Sequence, residues 1–160
     1  MVKEFENVTT GVISLINEWQ PVLEQLPEEI ICHRKNHQNR SIKQILGHMI
    51  DSASNNTHRI VHFHYQDNPV VFPDYANLGN NDRWINIQNY QDEDRNVIIQ
   101  LWKYSNIHLM HVIGNVDSDK LDNEWINAIG LKVSLREMII DYLRHFKLHI
   151  SEINEIINSR

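Results

Sequence analysis

Apolar residues recur at helical spacing in four separate stretches of the chain. Phe5, Val8, Val12, Ile16, Trp19, Leu23 and Leu26 follow at intervals of three or four, as on a helix that buries one face. The pattern predicts a helix over residues 3–26. Pro21 should kink it, because the ring removes an N–H from the ladder and crowds the carbonyl one turn back. Pro27 and the polar run CHRKNHQNR form a connector ending at Ser41. Its hydroxyl can accept from the free N–H groups of a first turn, so a second helix is expected from Ile42. Ile42, Ile45, Leu46, Met49, Ala53, Ile60 and Phe63 carry that helix to about residue 66. It stops there because Pro69 disfavours a helical Asn68.

Residues 67–90 hold two prolines, one glycine and six asparagines, and are expected to form a long irregular crossover inside one domain. A third helix is predicted over 92–114, with Val97, Leu101, Tyr104, His108 and Val112 facing inward and Gly114 ending it. After a loop, Ser134 and Glu137 have the spacing of a capping box. The last helix is predicted over 135–158, with Leu135, Met138, Tyr142, His145, His149, Ile153 and Ile156 on its buried stripe. Four long amphipathic helices, without alternating strand-like runs or repeats, predict an all-α fold, an antiparallel four-helix bundle. A mixed α+β domain is the alternative.

Composition narrows the function. The 160 residues suit one domain covering 1–160, and 41% apolar with 22% charged residues is ordinary for a globular chain. The net charge of -6 and the lack of any Lys/Arg stripe argue against nucleic acid and anionic membrane as partners. Cys32 is the single cysteine, so no intramolecular disulfide can form, and MVKEFENVTT contains no apolar run of signal-peptide length. A cytoplasmic location is expected.

Ten histidines, by contrast, bring metal into consideration. His145 and His149 are one turn apart on an apolar stripe, so their rings point the same way and can share one ion. His58 with His62 and His33 with His37 share the spacing without the apolar stripe. A buried imidazole without a partner costs about 1–3 kcal/mol, so two on one stripe need a common partner. A third ligand must come from another helix, and periodicity leaves His48 and His108 as competitors. His62, His64 and His111 look peripheral. Ser52, Asn55 and Arg59 fall within about 40° of His48 around the second helix, making a polar strip at the margin of the core. A solvated helix face is the alternative account of that strip. Asp51 and Asp141 are candidates to orient a ligand imidazole through its second nitrogen, or are surface residues.

Taken together, GHMIDSASNNTHR and DYLRHFKLHISEI resemble the DinB-like superfamily and, within it, the YfiT branch of metal-dependent hydrolases, which includes the bacillithiol S-transferases. The branch pattern H-x-x-D-S-x-x-N-x-x-x-R is matched by His48, Asp51, Ser52, Asn55 and Arg59, followed by Asp67 and Pro69. FPDY at 72–75 and Trp84 are similar to residues of the branch's crossover, so the likeness spans about 41–155. One departure is Leu148, where the branch usually carries the first histidine of a doublet; an extra acid–base histidine is therefore missing.

The resemblance implies a four-helix bundle with His48, His145 and His149 as metal ligands, and sets His108 aside. Three neutral imidazoles leave a fourth position on a divalent ion, zinc or nickel, as in catalytic sites. Such an ion can activate a thiol or a water. The implied activity is transfer of a low-molecular-weight thiol such as bacillithiol to an electrophilic small molecule. Arg59 and Asn55 would act at the reaction site, and Arg59, Asn55 and Ser52 would hold the thiol cofactor. A metal-dependent hydrolase is the alternative, and a non-catalytic metal-binding stress-response module a further one. A homodimer is expected.

Overall fold

Two capping boxes begin the two helices that matter most. In the computed structural model, which describes residues 2–159, Ser41 accepts from the Gln44 N–H and Ser134 from the Glu137 N–H, each cap being answered by the partner side chain. The helices are α1 (Glu6–Gln25), α2 (Ile42–Tyr65), α3 (Asn80–Gln88), α4 (Arg95–Gly114) and α5 (Leu135–Asn158). A 3-10 turn at Lys3–Phe5 precedes α1, which runs through Pro21 as one element. An antiparallel hairpin, β1 (Glu124–Ile126) and β2 (Lys132–Ser134), lies between α4 and α5.

The four long helices form a bundle around one apolar core that includes Phe5, Phe63, Trp102 and Phe146. The main contacts run α1 to α4, α4 to α2, α2 to α5 and α5 to α1. Consecutive helices α1 and α2 therefore sit across a diagonal. Lys43 Nζ on α2 reaches the Glu93 carbonyl just before α4, and His64 near the end of α2 meets the Asp117 N–H just after it. These neighbours run in the same direction. Arg95 at the start of α4 reaches the Leu23 carbonyl near the end of α1, and Arg59 late in α2 reaches Met138 early in α5, so those pairs run in opposite directions. A parallel α2/α4 pair explains the long crossover, because the chain must return along a helix of roughly 36 Å at about 1.5 Å per residue before α4 can begin.

The crossover contains α3, which residues 67–90 were expected to lack. Its sequence NNDRWINIQ is polar and buries only Ile85, too little periodicity to be read as a helix. The hairpin was also unexpected: its three-residue strands are shorter than any alternation that can be recognised.

The largest discrepancy concerns α4. Most of the stripe predicted to face inward faces outward, with Val97 and Leu101 each 45% exposed, Tyr104 59% exposed and His108 exposed, while Val112 is half-buried against the core. Ile98, Ile99, Trp102, Asn106, Leu109, Met110 and Ile113 face the core instead. Both faces of this helix are apolar enough to qualify, and tertiary packing selected between them. Gly114 is still helical and Asn115 is the C-cap. No helix among the described residues is long and apolar enough to cross a membrane.

Candidate metal centre

The opposed directions of α2 and α5 bring the early part of α2 against the middle of α5. His48 on α2 thereby meets His145 and His149 on α5. Ring centroids are 5.6 Å apart for His48–His145, 4.6 Å for His48–His149 and 4.5 Å for His145–His149. One nitrogen of each ring lies within 4.8 Å of the other two. His145 Nε2 and His149 Nε2 are 3.0 Å apart.

Two of the rings are oriented from behind. His149 Nδ1 lies 3.0 Å from Glu152 Oε2, one turn on along the same face of α5. Burial raises the Glu152 carboxyl, but the hydrogen bond to His149 and the charges of Arg40 and His37 outweigh it and hold the group below its ordinary range. A carboxylate can only accept, so Nδ1 of His149 is the donor, and Nε2 is the nitrogen turned toward the other two rings. Tyr75, from the crossover, places its hydroxyl 2.6 Å from His48 Nδ1 and 3.2 Å from the His48 carbonyl. Burial pushes the Tyr75 phenol well above its ordinary value, so it keeps its proton. When that proton serves the carbonyl, the phenolic oxygen accepts from Nδ1–H and Nε2 keeps its lone pair.

Burial and the two neighbouring rings lower the His48 pKa to about 2, and burial with His149 lowers His145 to about 4. Both rings are neutral at neutral pH. Lone pairs on neutral imidazoles converging at this spacing are the donor set of a divalent ion, whose nitrogen ligands lie about 2.0–2.1 Å from it. The residues fit the group that the sequence led us to expect. They also leave a fourth position toward the cleft.

The remaining candidates fall elsewhere. Among the other histidines, His33, His37, His58, His108 and His111 are exposed; His62 contacts Tyr65, and His64 bridges the Ile60 carbonyl and the Asp117 N–H. Leu148 is 47% exposed, on the outer face of α5. Neither Asp51 nor Asp141 orients an imidazole. Asp51 Oδ1 accepts from Tyr90 at 2.6 Å and Gln88 at 2.7 Å, and Asp141 pairs with Arg144 on the surface at 2.5 Å. The Tyr90 ring can lie there only because position 47 is glycine, since a Cβ would come within 2.1 Å of it. Glu152 was missed in the sequence although its spacing of three from His149 was a usable signal.

Ser52, Asn55 and Arg59 are all buried, so the strip is not a solvated face. With His48, Tyr75 and His145 they line a cleft of about 710 Å³ whose opposite side includes Met138 and Tyr142. Asn55 Nδ2 donates to the Asp51 carbonyl at 2.9 Å, and Tyr142 donates to Asn106 Oδ1 at 2.7 Å. The Arg59 guanidinium lies over Trp125 of β1 at 3.9 Å and over Phe72 at 5.3 Å. Burial, partly opposed by Asp74, lowers its pKa to about 10, and it stays charged. No local pattern marked Trp125 or Phe72 as neighbours of this charge.

The fold has counterparts among solved structures. YfiT from Bacillus subtilis, described as a probable metal-dependent hydrolase with an unusual four-helix bundle topology, superposes with a TM-score of 0.81 over 98% of this chain and 87% of its own, at 14% identity. The chain has the YfiT fold. The mycothiol-dependent maleylpyruvate isomerase shares this YfiT-like bundle with a TM-score of 0.73 at 11% identity, and a mutant of that isomerase matches with a TM-score of 0.70 at 12% identity. Each match covers 93% of this chain but 60% of the longer isomerase. No protein-family profile and no curated protein matches by sequence. The YfiT-like architecture here places the three-histidine cluster between α2 and α5, with the crossover supplying Tyr75.

Proposed function

We propose that this chain is a metal-dependent enzyme that transfers a low-molecular-weight thiol, bacillithiol-like, to an electrophilic small molecule. The observation that carries this reading is the convergence of three imidazoles at one end of a cleft large enough for an organic ligand. The description of one structural counterpart as thiol-dependent adds support. A zinc or nickel ion held by His48, His145 and His149 would, when bound, act as a Lewis acid that makes a thiol acidic near neutral pH. Glu152 and Tyr75 hold His149 and His48 in the tautomers that present Nε2. Ser52, Asn55 and Arg59 fix the polar groups of the thiol along α2, and Met138 and Tyr142 offer apolar contact from α5.

Incubation of the metal-loaded protein with bacillithiol and a chlorinated or epoxide electrophile tests the proposal. Product that contains the thiol is expected. Turnover at an undiminished rate without thiol would assign the chain to the hydrolases, the activity named for its YfiT counterpart. A melting temperature lowered by metal removal, with no thiol or electrophile altering the spectrum of bound metal, would indicate a metal-binding stress-response module. We also infer a homodimer, supported by the second apolar stripe on α4, since a helix that is apolar on two faces is usually covered on both. Light scattering at the mass of one chain would overturn it.

A further inference from the structure

Arg59 is a buried charge without a counter-charge. The residue is 7% exposed, and Nε is buried with no hydrogen-bond partner among the described residues. Nη1 donates to Met138 Sδ at 3.5 Å, a weak acceptor. No carboxylate of the described residues pairs with it. Asp74 acts on it electrostatically but accepts from the Ala128, Ala76 and Asn77 N–H groups and from Asn77 Nδ2. A guanidinium desolvated in this way is expensive unless something else supplies the partner.

We propose that Arg59 is the docking point for a carboxylate on the molecule that reacts at the three-histidine end of the cleft. The proposal rests on the reading of that end as the reaction site. It adds the ligand's charge and its length. The cation of Arg59, over Trp125 and Phe72, is balanced by a single negative charge, the other charged residues of the cleft, Lys132 and Arg144 with Glu137 and Asp141, being equal in number and opposite in sign. The planar fork suits the two oxygens of a carboxylate met at its Nη edge, since Nε itself is closed off by its surroundings.

Length follows from helix geometry. The guanidinium lies beside Met138, and His145 and His149 come seven and eleven residues later on α5. At about 1.5 Å per residue these rings are roughly 10 and 16 Å further along the axis. A short acid cannot engage both ends. The ligand therefore carries its carboxylate about 10–16 Å from the reacting atom, with a body that passes Tyr142 and Asn55.

The anion site is tested first without metal or thiol, so that failure of the transfer reaction leaves this arm untouched. Acetate, hexanoate and decanoate are titrated into the metal-free protein, and the Arg59 Nε–H resonance and tryptophan fluorescence are followed. Decanoate should shift the Nε–H signal. Its affinity should fall about ten- to a hundredfold in Arg59→Met, with Arg59→Lys intermediate and thermal melts reporting the folded state of both variants. Equal affinity in Arg59→Met, or equal binding of decylammonium by the unaltered protein, would overturn the site. In a second arm, ω-mercaptoalkanoates of increasing length are added to cobalt-loaded protein and the sulfur-to-cobalt absorption band is read. Affinity should step up once the chain spans about 10 Å, and the step should vanish in Arg59→Met. The same smooth rise with length in both proteins would overturn the stated span.

Discussion

The two ends of the cleft solve the problem of buried polarity in opposite ways. At the histidine end, Glu152 and Tyr75 take up the outer nitrogens of His149 and His48, so the protein itself fixes which nitrogens face inward. At the arginine end, the guanidinium rests on aromatic rings with a nitrogen left over. One end is organised to hold a small ion in a set geometry, and the other holds a guanidinium without a counter-charge. Stiffness at the first end and an unmet hydrogen-bonding demand at the second are what a site needs if it is to place a long molecule against a fixed reactive centre.

The most severe way to break the contrast is to remove an inner ring. His48→Ala, His145→Ala and His149→Ala should each abolish stoichiometric divalent metal by elemental analysis, while His108→Ala, altering an exposed ring on α4, should retain it. Full occupancy in His48→Ala would end the assignment.

Next in size is acid sensitivity of the metal-free protein. The folded state protonates His145 near pH 4 and His48 near pH 2, whereas the unfolded chain does so near the ordinary value of 6.5. Between those limits the unfolded state binds more protons, so stability falls as pH drops, by up to about 1.4 kcal/mol per pH unit for each ring. Urea midpoints should decline from pH 7 to pH 5, and less steeply in His48→Leu. A flat profile in the unaltered protein would contradict the burial argument.

Smaller effects separate the two outer partners. Glu152→Ala should weaken metal affinity about 10–100-fold, as loss of an outer carboxylate does, measured by competition with a chromophoric chelator. Tyr75→Phe removes a neutral hydrogen bond worth about 1 kcal/mol, so a several-fold loss is expected by the same assay. Equal losses in the two variants would mean that the charge of Glu152 adds nothing to the orienting contact.

Parts of this arrangement were legible in the chain because they are local. Ser134 and Glu137 announce the start of α5, and a strong apolar stripe with polar positions between fixes its inward face. The i, i+4 pair His145 and His149 needs only that rotation to share an ion. Helix α4 shows the limit: with apolar residues on two faces, its rotation depended on what α1 and α2 offered, and the sequence favoured the wrong face. The strip His48, Ser52, Asn55 and Arg59 was visible as a strip, but its burial was not, because the cover comes from a hairpin and crossover distant in sequence.

By itself, then, the sequence determined four long helices, most of their boundaries and caps, the face of α5 and the shared direction of two imidazoles, since each depends on spacing within one helix. Tertiary structure alone decided that α2 runs parallel to α4 and opposite to α5, that His48 rather than His108 joins the pair, and that Tyr75 and Trp125 stand beside His48 and Arg59. Those are pairings between surfaces far apart along the chain. Burial energy selects among them only when all the faces compete together.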